Sequence, residues 1–154
     1  MSDPSGRLRD VPPRDRAVPP LIADERATLA GWLDFYRGTL AGKCEGLDDD
    51  GWRTASVPPS PLTLLGLVQH HAEVERNWFR RVLLGEDVPP IYDSPSSTPG
   101  HDGGFDLGET TGEQALGIWR DEIGQAVEAC AGRELDDRSP FGEGEVTHRR
   151  RDGV

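Results

Sequence analysis

From Asp24 onward, Leu29, Leu33, Tyr36, Leu40, Cys44 and Leu47 recur at spacings of three and four, with polar residues between them. That period lines the apolar positions along one side of a helix. It predicts a first helix over about 24–46, with Leu21 and Ile22 placed to staple its start and Gly46 near its end. Gly31, Gly38 and Gly42 fall inside it, each lowering helix propensity by up to about 1 kcal/mol. Tertiary packing must hold such a helix, with close neighbours at the glycines.

A second run, Leu64, Leu67, His71, Val74, Trp78 and Val82, predicts a helix over 62–84. Ser60 offers its N-cap, Pro61 a preorganised first position and Gly85 a stop. A third run, Leu116, Trp119, Ile123, Val127 and Cys130, predicts a helix over 110–131, opened by a Thr110/Glu113 capping box and closed by Gly132. Trp32, Trp78 and Trp119 are expected to fill a core, and Trp52 to cover one end of it. The stretch "LDDDGWRTASVPPSP" is a linker with room for one turn at Asp49–Arg53. Residues 86–108 form a proline- and glycine-rich connection, unusually long for a compact domain.

Beyond Gly132 only Phe141 and Val146 are useful apolar residues, so 138–154 are expected to be an irregular tail. Residues 1–20 hold five of the 13 prolines and are expected to be disordered. One helical domain over 21–137 remains between these segments. The 154 residues carry 17 basic and 28 acidic side chains, a formal net charge of -11. Such an acidic field repels phosphate and argues against nucleic acid and anionic membranes as partners. No apolar run reaches the length of a membrane span, and the N-terminus lacks an apolar leader. Cys44 and Cys130 do not form a Cys-x-x-Cys pair, which fits a reducing cytoplasm.

Candidate chemistry centres on "LGLVQHHAEVERNWFRRVL", which places His70 and His71 side by side in the second helix. His70 is flanked by Leu67 and Val74; His71 by Leu67, Val74 and Trp78. Both therefore face the interior at its two edges. Glu73 lies three residues from His70 and is placed to orient it, and Glu75 follows. No second histidine lies four residues on, so this is not the zinc-protease signature. A catalytic zinc needs three protein donors and one helix supplies a single good one, so a hydrogen-bonded core histidine is the plain alternative. Neither cysteine has metal-ligand spacing or a nucleophile signature. His101 sits in the long loop and His148 near the end of the chain.

"ADERATLAGWLDFYRGTLAGKCEGL", "VPPSPLTLLGLVQHHAEVERNWFRRVLLGEDVP" and "IWRDEIGQAVEA" together resemble the DinB-like superfamily, in the branch of mycothiol-dependent thiol transferases. The resemblance implies an all-α, up-and-down four-helix bundle with a long connection between its second and third helices. It implies a divalent metal, zinc or nickel, bound by one histidine of the second helix and by histidines of the fourth. His70 matches the first of these ligands, and His71 falls at a packing position. Mycothiol is the implied thiol cosubstrate and a small electrophile its acceptor.

Where the family pattern has its fourth helix this chain reads "THRRRDGV". The expectation is thus a bundle truncated to three long helices, an inactive relative that does not hold metal tightly. Its uncovered apolar groove would drive self-association. The alternatives are an active metal-dependent S-transferase or hydrolase completed by oligomerisation, or a binding protein without catalysis. The sequence leaves open whether the chain is an enzyme.

Overall fold

A computed structural model of the chain describes residues 18–92 and 103–140, and every regular element in it is helical. The chain divides into two compact units, Met1–Gly42 and Lys43–Val154. Nearly all of the first helix, α1 (Glu25–Lys43), belongs to the first unit. Asp24 starts it by accepting the Ala27 amide on Oδ1 at 2.8 Å. Pro19 packs where a Cβ on Gly31 would stand, at 3.3 Å, so one of the expected close neighbours is present. The staple is not formed, because Leu21 and Ile22 are almost fully exposed. No residue of α1 is buried, and its predicted stripe shows Leu29, Leu33 and Tyr36 to solvent.

In the second unit the turn expected at Asp49–Arg53 within the linker is a short helix, α2 (Asp49–Arg53). Asp48 caps it, accepting the Gly51 amide at 2.8 Å. Trp52 is buried and lies over Gly112, where any Cβ would overlap the indole. Arg53 Nη2 adds a bond to the Thr110 carbonyl at 2.9 Å. The expectation of three helices is therefore corrected: the described residues form four α-helices. Five residues are too short to display a helical period, and a capped turn with one buried tryptophan holds α2 instead.

α3 (Leu64–Glu75) begins two residues later than expected. Its cap is Thr63, not Ser60: Thr63 Oγ1 accepts the Gly66 amide at 3.0 Å. The helix runs on into a π-helical segment, Arg76–Leu83, and the chain turns at Gly85 with φ +71°. A 3₁₀ turn (Gly103–Phe105) follows the long connection. α4 (Gly112–Cys130) opens on a capping box one residue beyond the expected one: Thr111 and Gln114 exchange side-chain bonds with each other's amides.

The buried faces are rotated from the predicted stripes. α3 buries Leu65, Gly66, Val68, Gln69, Ala72, Glu73 and Glu75; α4 buries Gly112, Ala115, Trp119, Glu122, Ala126 and Ala129. Ala72, Ala115 and Ala126 lie on these faces beside Leu65, Val68 and Trp119, while the larger Leu67, Val74 and Ile123 are only half-buried. Trp119 is the core filler expected, whereas Trp78 is exposed and Trp32 half-buried. The i→i+5 ladder after Glu75 turns Trp78 off the α-helical stripe.

α3 and α4 run side by side in the same direction, since His71 meets Trp119 and Arg76 meets Glu122 further along both. Two parallel neighbours need a connection that travels back along the helix, and its described residues do so, from Gly85 to Ile91 and Tyr92 at Glu73 and on to Phe105 at His70. No helix among the described residues is long and apolar enough to cross a membrane. Residues 1–17, His101, Phe141, Val146, His148 and the rest of the expected tail from 141 lie outside the described residues.

Candidate functional site around His70 and His71

Successive positions on α3 give the two histidines different surroundings. His70 lies against Phe105, ring centroids 4.8 Å apart and planes 24° from parallel. His71 turns the other way, to Trp119 at 5.9 Å. The two imidazoles are 6.1 Å apart and both half-buried. Burial lowers the pKa of His71, helped by the neighbouring charge of His70 and opposed by Glu75. A neutral imidazole at neutral pH is the consequence, able to accept a proton.

Glu73 does something the sequence reading did not anticipate. Its Oε1 accepts the amides of Ile91 at 2.5 Å and Tyr92 at 2.8 Å. The Tyr92 carbonyl in turn accepts the Gly103 amide at 3.1 Å. The carboxylate thereby ties the end of the connection to α3, and the 3₁₀ turn that presents Phe105 to His70 is tied to the same point. Tyr92 itself is buried enough that its phenol is pushed up to about 12.

One turn further on, Arg76 donates to Glu122 Oε1 of α4 through Nε at 3.0 Å and Nη2 at 2.5 Å. Its Nη1 donates to the Pro89 carbonyl at 3.0 Å. Arg80 approaches the same carboxylate at 3.5 Å and pairs with Glu86 at 2.7 Å. Gln69, Glu73, Arg76 and Arg80 therefore form a polar stripe along α3 and its π-helical continuation. The side-chain amide of Gln69, Trp119 Nε1 and Glu122 Oε2 are buried there without a hydrogen-bond partner. Reading this stripe from sequence required noticing that 69, 73, 76 and 80 share a face; the leucines at 64 and 67 pointed to the adjacent one.

Among the described residues no three His, Cys, Asp or Glu side chains converge to hold a metal ion. His70 is the single sequence-predicted donor; Glu73 is directed to the connection, and Cys44 is buried with its thiol pushed up to about 11. The described residues therefore supply one donor and do not fit a complete zinc or nickel centre.

The family model for mycothiol-S-transferase matches residues 28–152. No curated protein and no solved structure matches the chain. The match overturns the expectation of truncation and, with it, the inactive relative inferred from a missing helix. It runs through "THRRRD", the stretch read as an unrelated tail, so that stretch lies within the family's own span. With four-fifths of its length inside that match, the chain belongs to the mycothiol-S-transferase family.

Proposed function

We propose that this protein transfers mycothiol to an electrophilic carbon of a small molecule. The family match over residues 28–152 carries the reading, and the neutral, half-buried His71 beside His70 supports it. In the reaction the thiol S–H gives its proton to the unprotonated ring nitrogen of His71. The thiolate forms a carbon–sulfur bond as the leaving group departs with its electron pair. The imidazolium then returns the proton to the leaving group or to water. Proton, charge and electron pair balance without a further reactant. A reduced thiol cosubstrate places the work in a reducing cytoplasm.

The test is turnover by the full chain with mycothiol and a fluorogenic alkylating reagent. Rates above the uncatalysed reaction, lowered about 100-fold or more in His71→Asn, are expected for a lost proton acceptor. No rate above the blank overturns the reading.

Two narrower proposals accompany it. His70 is one donor to a zinc or nickel ion, a role the family resemblance suggests and on which no step above depends. Isothermal titration with either metal then shows binding lost in His70→Ala and kept in His71→Ala; binding kept in His70→Ala removes the assignment. The chain also self-associates through the apolar side of α1, where Leu29, Leu33 and Tyr36 are exposed.

A further inference from the structure

At the first turn of α3 the surface opens into a hollow of about 320 Å³, lined by Ser60, Leu62, Thr63, Gly66, Phe105 and Leu107 among others. Gly66 keeps it open. A Cβ there would meet Thr63 Oγ1 at 3.3 Å, Phe105 Cδ1 at 3.4 Å and Leu107 Cδ2 at 3.5 Å, so a longer side chain would grow into the space. Its carbon-rich walls are left to solvent: Leu62 is 42% and Phe105 47% exposed. Thr63 Oγ1 is occupied by the Gly66 amide, and Ser60 Oγ accepts the Leu62 amide at 3.3 Å. Both hydroxyl oxygens accept backbone amides, and the carbon side chains of Leu62, Phe105 and Leu107 make the rest of the wall suit an apolar guest. The volume lies at the small end of small-molecule pockets, ~300–1,000 Å³, enough for one substituted ring.

Phe105 is the shared wall. One side of this residue lines the hollow, and its ring stacks on His70. The wall is fixed, because Glu73 holds Ile91 and Tyr92 while Tyr92 holds Gly103, two residues before Phe105. A guest seated against Phe105 lies one ring away from His70, the neighbour of the proposed proton acceptor.

We infer that this hollow binds the apolar, ring-sized part of the electrophile and sets its reactive carbon toward the histidine pair. The identity of the guest as the electrophile rests on the thiol-transfer reading. A polar thiol cosubstrate does not match these walls; an aryl or benzyl compound does.

The probe is 4-nitrobenzyl alcohol, which does not react with thiols, titrated into full-length protein carrying labelled leucine methyls. Saturable shifts of the Leu62 and Leu107 methyls are expected, with matching shifts of the His70 ring protons. Gly66→Leu should weaken binding about tenfold or more by filling the space. Leu62→Asp, at an exposed position before the helix, should weaken it in the same direction and carries the test if Gly66→Leu does not fold. Shifts that do not saturate, that map elsewhere, or that persist with unchanged Kd in Leu62→Asp overturn the inference. With a reactive benzyl halide, both variants should raise KM for the halide about tenfold more than KM for mycothiol. Turnover with an unshifted halide KM sinks the hollow and leaves thiol transfer standing. Saturable probe binding without any turnover sinks thiol transfer and supports the hollow as a binding site.

Discussion

Replacing Arg76 by methionine should be among the most damaging single changes outside the apolar core. Glu122 is 5% exposed and receives two bonds from the Arg76 guanidinium, at 3.0 and 2.5 Å. Once Arg76 is gone, the carboxylate keeps only Arg80 Nη1 at 3.5 Å, the outer limit of a hydrogen bond. Arg80 is itself drawn away by Glu86 at 2.7 Å. Breaking one side of a buried ion pair costs about 3–5 kcal/mol, because the remaining charge stays desolvated. The nearby Arg80 charge and the partial exposure of Arg76, 18%, favour the lower end, about 3 kcal/mol. That is a large share of the ~5–15 kcal/mol that holds a domain together. The change also removes the Nη1 bond to Pro89, loosening the connection next to the Glu73 clamp. Urea unfolding of the full chain, followed by circular dichroism, measures the loss. Arg76→Met/Glu122→Leu should recover much of it, since no unpaired charge remains buried. A single variant within about 1 kcal/mol of the parent, or a double variant less stable than the single, refutes the reasoning.

Gly112→Ala places a methyl group inside the Trp52 indole and should cost about 1–3 kcal/mol by overpacking, read from the same unfolding curves; an unchanged midpoint would show that α2 is not docked on α4 through Trp52. His71 has a folded-state pKa below its ordinary 6.5 because burial disfavours the imidazolium. Its contribution to stability is therefore intact above about pH 6.5 and is lost as pH falls through the lowered value. The stability of His71→Gln should fall less steeply below pH 6.5 than that of the parent; parallel curves would remove the burial argument. For α1, sedimentation over a range of protein concentrations should show a dimer or larger species that Leu29→Lys/Leu33→Lys reduces to monomer. A monodisperse monomeric parent would sink self-association.

The helical class and the approximate places of the three longer helices could be read from the three-and-four spacing alone. The stop at Gly85 was legible for a different reason: a left-handed turn favours glycine whatever the surroundings. What periodicity misassigned was the face. It weighs Leu64, Leu67 and Ile123 by size, whereas the buried faces of α3 and α4 carry Ala72, Ala115 and Ala126 beside Leu65, Val68 and Trp119. Trp78 was misplaced because nothing in "RNWFRRVL" announces a π-helical ladder. α2 was legible as a single turn at Asp49–Arg53 with Trp52 over one end of the core, but the contact that holds it, Trp52 on Gly112, lies sixty residues away.

The site was legible only in part. "QHH" within the "LGLVxHxAEVE" pattern marked His70, and the resemblance led to the family later matched over residues 28–152. The partner of His70, Phe105, follows ten residues of chain outside the described structure, and no local pattern ties the two. The three-residue spacing placed Glu73 beside His70, but gave no signal of the amides eighteen and nineteen residues on that its Oε1 accepts. Reading the end of the chain as foreign to the family rested on the paired-histidine run that the resemblance implies, while the family span reaches residue 152 without such a run in the sequence.

Thiol transfer is the central claim, and the mass of the product tests it most directly. Full-length protein is incubated with mycothiol and a benzyl halide, alongside parallel reactions with cysteine, with glutathione and without protein. The account predicts a mycothiol S-conjugate whose mass equals the two reactants less the hydrogen halide, formed faster than in the blank and faster than with either other thiol. Conjugate formed only at the uncatalysed rate, or at equal rates with all three thiols, contradicts it.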